Sequence, residues 1–369
     1  MRRRRFLSLS ALTALPALPA MSQTAESEDT HQVTLLFAGD LMQHDGQIKA
    51  ARTADGGYDY AEVFARVAPE IKRHDISIAN LEVTLAGPPY KGYPNFSAPD
   101  EYMHAAVDAG FNVLLTANNH CCDMRGKGLR RTIEQLDERR VQHLGTYLNM
   151  EERQRKYPLL IDCNNIRIAL LNFTYGTNGM PIPAPFVVNM EDSRQIAKDI
   201  AAAQQGGADV IIAFPHWGIE YALLPSAEQR KRAEWLLEKG VHHVIGCHPH
   251  VVQPFEVSTD EGGEQHLTVF SLGNYVSNMQ RPNTDGGAMV SMTLTKKAGK
   301  TSMTACDYSL FWVARPAISG RKNFRIYPAG WQDDDMNDAE RSHREHYLAN
   351  TRALLAEHNK GIAERLVEA

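Results

Sequence analysis

The sequence predicts an α/β protein, built as a mixed sheet or as two sheets packed face to face with helices outside. Two observations carry this. Short apolar runs alternate with amphipathic stretches from Val33 to Ile245, and the chain then becomes β-rich. Alternation of strand and helix gives parallel pairing, whereas consecutive strands pair antiparallel. The 369 residues are 43% hydrophobic and 22% charged, an ordinary globular composition. A net charge of −5 gives no basis for nucleic acid as a partner.

The N-terminus is set apart. Arg2 to Arg5 precede an apolar run from Phe6 to Ala20, with small residues near Ala20 and Ser22. A basic segment, a short apolar segment and small residues describe an export signal over residues 1–25. The run is shorter than the roughly 20 residues a membrane span needs. The arginines before Phe6 and Leu7 suit a twin-arginine signal as well as an Arg-rich general secretory one. Either route places the chain in the periplasm or cell envelope. Residues 26–32 read as a polar linker, 33–335 as one domain, and 336–369 as a charged helical tail. That tail would pack on the body or reach a partner. Cys121, Cys122, Cys163, Cys247 and Cys306 include no CxxC pair, and neighbours such as Cys121 and Cys122 bridge only with strain. No disulfide framework is expected.

Val33 to Phe37 reads as a buried strand closed by Gly39. Tyr60 to His74 reads as a helix, Ile76 to Ala79 as a strand, and Glu101 to Ala109 as a helix stopped by Gly110. Val113 to Thr116 is the next strand, followed by a helix from Leu129 to Arg139. Leu159 to Ile161 and Ile166 to Leu171 flank Asn164-Asn165, which suits a hairpin turn with positive φ. After a loop holding Pro181, Pro183 and Pro185 come a helix (Met190 to Gln204), a strand (Val210 to Ala213), a helix (Ala227 to Lys239) and a strand (His243 to Ile245). The β-rich remainder has strands near His266 to Ser271, Ala288 to Thr295 and Met303 to Val313.

Polar residues fall just past these strands. They are Gly39-Asp40, Asn80-Leu81-Glu82, Asn118-Asn119-His120, His216-Trp217-Gly218 with Glu220, Gly246-Cys247-His248-Pro249-His250, and Leu272-Gly273-Asn274. In open α/β sheets that carboxyl edge is where side chains from successive loops converge on a ligand. Taken singly, each group has a plain structural use: Asp40 as a cap, Glu82 as a solvated acid, Asn119 as a turn residue, His216 as a core histidine. A carboxylate, amide or imidazole at every strand end is a pattern that those separate uses do not explain. Carboxylate, amide oxygen and imidazole together suit Mn, Fe, Zn or Mg in a hydrolytic site, without thiolate. Two such ions roughly 3.5–4 Å apart can share a carboxylate.

In that order the motifs, with Asp123, Gly126, Gln253-Pro254 and Ser271 to Asn274, resemble the set of the CapA family of capsule (poly-gamma-glutamate) biosynthesis proteins. The resemblance covers about Val33 to Ser277. The family is similar to calcineurin-like metallophosphatases, which implies a sandwich of two mixed β-sheets flanked by helices, and one or two divalent ions. By position it implies that Asp40 binds the first metal, that Glu82 bridges, and that Asn119, His216 and His248 hold the second. His250 would return to the first, with His120 the general acid or base. Asn80, Asp123, Glu220 and Asn274 would support ligands or contact substrate. The sequence departs from the metallophosphatase pattern at Asp40-Leu41-Met42, where Met42 stands in place of a histidine. His44 is the nearest substitute, and the departure leaves a one-metal site open.

The expected function is therefore metal-dependent hydrolysis of a phosphoester or amide-type bond in an envelope polymer or small molecule. Two other readings keep the same residues. One is an epimerase exchanging an α-proton; the other is a noncatalytic scaffold in a capsule synthesis or export complex, docking through its tail.

Overall fold

The computed structural model describes residues 29–367, so the expected export signal and residues 26–28 of the expected linker lie outside the described residues. In chain order the strands are β1 (Thr30–Leu41), β2 (Ile76–Leu81), β3 (Val113–Leu115), β4 (Gln142–Leu144), β5 (Thr146–Tyr147) and β6 (Leu159–Cys163). Next come β7 (Ile166–Thr174), β8 (Val187–Val188), β9 (Val210–His216), β10 (His243–Ile245), β11 (Val252–Thr259) and β12 (Gln265–Leu272). The chain closes with β13 (Asn274–Val276), β14 (Gly286–Lys297), β15 (Lys300–Ala314), β16 (Arg325–Pro328) and β17 (Ala363–Glu364).

Two mixed sheets result, with β5 and β8 forming a separate antiparallel pair. The larger has nine strands, ordered β16-β15-β14-β1-β2-β3-β4, with β13 beside β1 and β17 beside β15. Within it β1 to β4 are mutually parallel, and β14 and β15 return antiparallel. The smaller has six strands, ordered β11-β12-β10-β9-β7-β6, parallel at its centre with an antiparallel hairpin at each edge.

Alternation along β1 makes the sandwich. Val33, Leu35 and Phe37 face the second sheet in one apolar core with Ile168, Leu170 and Ile212, and Phe37 meets Phe214 at 5.8 Å between ring centroids. Leu36 and Ala38 face the other way, into a layer with Phe64, Ile71, Tyr102 and Met103 from the covering helices. A strand buried on both faces reads as a continuous apolar run, which is why Val33 to Phe37 was legible.

The turn at Asn164 and Asn165 has φ of 46° and 61°, as the hairpin reading requires. The helix expected over Tyr60 to His74 is instead two short helices, Ala61–Phe64 and Ala68–Lys72. Pro69 is the cause: it lacks an N–H and its ring clashes with the carbonyl four residues back, so the helix restarts with proline in its first turn. Residues 30–32 of the expected linker belong to β1, where Thr30 pairs with Lys297. Strand β11 escaped the sequence reading because Pro254 interrupts it; the strand tolerates that proline as an edge strand.

The tail packs on the body. Its helix Asp338–His358 begins at an Asn337 capping box and buries Tyr347, Leu348, Thr351 and Leu355. Beyond it, β17 pairs with β15. The five cysteines are free.

Candidate metal centre

The parallel strands of both sheets end at the same side of the sandwich, and their loops build one buried polar cluster. Gly39 lets β1 approach the neighbouring loop: a Cβ there would lie 1.9 Å from the Gly273 carbonyl oxygen. Asp40 N–H donates to that carbonyl at 3.1 Å, and Asp40 pairs in register with Asn274 of β13. Gly246 plays the same part on β10, where a Cβ would sit 2.2 Å from the Phe270 carbonyl oxygen. The loop beyond it is fixed to the end of β9 by Trp217 N–H to Cys247 O and Cys247 N–H to Pro215 O, both 3.1 Å.

Asp40 is fully buried. Its Oδ1 accepts from Asn80 Nδ2 at 2.8 Å, and its Oδ2 lies 3.2 Å from His250 Nδ1 and accepts the His248 backbone N–H at 3.3 Å. His250 Nδ1 also meets Asn274 Oδ1 at 3.0 Å. Glu82 Oε1 lies 3.6 Å from His216 Nε2 and 3.8 Å from His250 Nε2. His216 Nε2 contacts Asn119 Oδ1 at 2.8 Å, while Asn80 Nδ2 lies 3.3 Å from His216 Nδ1. Ligand atoms fall into three overlapping groups, each within 4.8 Å: Glu82, His216 and His248; Asp40, Glu82 and His250; Glu220, His248 and His250.

The electrostatics fit a cation. Burial would raise the Asp40 carboxyl, but the His250 hydrogen bond and charge, with His216 and Asn80, bring it down to about 2. Burial and then the Asp40 charge push Glu82 well above the usual carboxylate range. Two adjacent buried carboxylates repel unless a cation lies between them. Burial holds His216 down at about 3 and, with its histidine neighbours, depresses His248 strongly. Neutral imidazoles are the form that binds metal. Glu82 Oε1 and His248 Nδ1 are buried with no hydrogen-bond partner. Orphaned buried polar atoms of this kind are costly, and a divalent ion would satisfy both. The residues fit one or two divalent ions on nitrogen and oxygen donors.

His120 sits beside this cluster. Its Nδ1 lies 2.8 Å from Asp123 Oδ2, which also accepts the Phe96 backbone N–H at 2.7 Å. Its ring packs edge-on against Phe96 at 4.6 Å. Met42 points into the apolar layer under β1, 1% exposed, and so offers nothing to the centre. His44 does not replace it. It caps the helix Asp45–Ala51, with Nδ1 3.3 Å from Gln47 Oε1 and 3.3 Å from the Asn278 backbone N–H it accepts, and it stands outside all three ligand groups. Burial lowers its imidazole to about 4.

Two neighbours were not read from the sequence. The Tyr175 ring lies 4.6 Å from His248 and 6.4 Å from His216 between centroids. Asn178 contacts Asn119 Nδ2 at 3.2 Å and His120 Nε2 at 3.4 Å. Both follow the carboxyl end of β7, so the strand-end rule that found the others could have found them.

The family model for the bacterial capsule synthesis protein PGA_cap matches residues 34–279. Capsule biosynthesis protein CapA of Bacillus anthracis is 30% identical over 274 residues, covering 71% of this chain and 64% of that protein. PGA biosynthesis protein CapA of Bacillus subtilis (strain 168) is 26% identical over 285 residues, covering 73% and 70%. The chain thus spans less than two thirds of the Bacillus anthracis relative. Among solved structures, NAD nucleotidase (NadN) of Haemophilus influenzae superposes with a TM-score of 0.51 at 12% identity, covering 92% of this chain and 65% of that one. At that identity the likeness is one of fold.

Proposed function

Because the chain belongs to the bacterial capsule synthesis protein PGA_cap family and has a metallophosphatase-like sandwich, we propose that it is an exported metal-dependent hydrolase. Its substrate would be a phosphoester or amide-type bond in a cell-envelope polymer such as poly-gamma-glutamate. The export signal at residues 1–25 supports the location. The observation that carries the chemistry is the pair of orphaned buried atoms, Glu82 Oε1 and His248 Nδ1, inside overlapping ligand groups.

Asp40, Glu82, Asn119, His216, His248 and His250 would hold one or two ions. A bound divalent ion supplies Lewis-acid charge and lowers the pKa of water. The chain's own residues do the rest. Asp123 fixes His120 through Nδ1, which leaves Nε2 to exchange a proton with the leaving group. Tyr175, 44% exposed, forms a wall beside His216 and His248. The tail, which a docking scaffold would present, is packed on the body and so favours the enzyme reading.

Elemental analysis of the purified protein and of His248→Ala tests this. One or two divalent ions in the wild type, and at least one fewer in the variant, are expected. No ion after reconstitution with Mn, Zn or Fe would overturn the enzyme reading.

A further inference from the structure

Glu220 differs from every other ligand-type residue at the centre in being exposed, yet its carboxylate lies within 4.8 Å of ligand nitrogens on His248 and His250. We propose that Glu220 is itself a metal ligand: the outer, exchangeable carboxylate that completes a solvent-facing position with His248 and His250. This rests on the metal-centre reading above.

The backbone is built to hold it there. Tyr221 N–H donates to Pro249 O at 2.8 Å, tying the residue after Glu220 to the proline between the two histidines. Tyr221 adopts φ 66°, and His248 and His250 adopt φ 106° and 60°. Left-handed backbone is unfavourable at bulky residues such as these three and persists only where surrounding structure enforces it. The strain is concentrated where the two loops face each other.

The Tyr221 hydroxyl is within hydrogen-bond reach of the Glu220 carboxylate. Among the described residues no ion pair engages Glu220, and the nearby cation, Arg281, lies over the Tyr221 ring at 4.3 Å instead. The carboxylate acts inward: with burial, its charge helps to raise Glu82, Tyr175 and Tyr221. Neither Met42, turned into the core, nor His44, engaged by Gln47 and Asn278, adds a donor to the centre. Exposure makes Glu220 the ligand an incoming oxyanion, phosphate or carboxylate, would displace, with one anionic oxygen donor leaving as another enters.

Calorimetric titration of the chelator-treated full chain with Mn²⁺ and with Zn²⁺ tests the assignment, using wild type, Glu220→Gln and Glu220→Ala. The variants should bind the weakest-held ion at least about tenfold less tightly. Acetate or formate should restore part of that loss in Glu220→Ala and leave the wild type unmoved. Unchanged affinity in both variants, with a wild type that binds metal, overturns this inference alone. Weakened binding that no small carboxylate restores in Glu220→Ala overturns it as well. A wild type that binds neither ion overturns the metal-centre reading and this inference with it.

Discussion

His120 has one ring nitrogen committed to Asp123 and the other near Asn178 at the edge of the centre. Replacing it with asparagine removes the proton-transfer group but none of the proposed metal ligands. Turnover of the substrate should fall about 10²–10⁴-fold, while elemental analysis shows wild-type metal content. Asp123 is a positioning residue: Asp123→Asn should reduce kcat and shift the pH profile without changing metal content. Gly39 works through absence. A Cβ there meets a backbone oxygen that cannot move aside, so Gly39→Ala should lower stability by at least about 2 kcal/mol, read as the midpoint of denaturant unfolding. Asp40, Glu82, His216 and His250 were marked as candidates by residue type and by position after a strand, and their roles at a metal were implied by the family resemblance. Whether Met42 and His44 point inward was not legible, since neighbouring positions near a strand end face opposite layers and only packing assigns them.

The C-terminal helix Asp338–His358 shows how an element with many charges still earns its place. Its buried stripe runs through Tyr347, Leu348, Thr351 and Leu355, and Arg344 donates to the carbonyls of Ala329 at 2.7 Å and Trp331 at 2.9 Å. Leu355, 1% exposed, should cost about 2–5 kcal/mol when truncated to alanine. Asn337→Ala removes the cap and should cost about 1 kcal/mol. Equilibrium unfolding distinguishes the two, and both variants should keep wild-type metal content because the helix touches none of the proposed ligands.

At the scale of the whole molecule, histidines buried as neutral rings oppose stability in acid. His243 on β10 accepts the Leu267 backbone N–H at 3.1 Å. Burial, with smaller contributions from His242 and His266, holds its imidazole at about 3 against an ordinary value of 6.5. Above pH 6.5 it is neutral in both folded and unfolded chains and has no effect. Between about 6.5 and 3 only the unfolded chain takes the proton, so stability falls with pH by about 1.4 kcal/mol per unit from this group. His243→Gln should flatten that acid limb in a pH series of denaturation curves; an unchanged slope would show that other groups dominate it.

The sequence by itself determined the α/β class, because β1 and its neighbours carry apolar runs whose period matches strands buried on both faces. It also marked the candidate ligands, because carboxylates, amides and imidazoles recur at the ends of those runs. Tertiary structure decided the rest. Pro69 broke a helix that periodicity joined, and Pro254 was tolerated only because β11 is an edge strand. The grouping of ligands, and the place of Glu220 among them, depends on loops from two sheets meeting across the sandwich. Distances between side chains so far apart in sequence are set by packing and by close backbone approach at Gly39 and Gly246, not by local pattern.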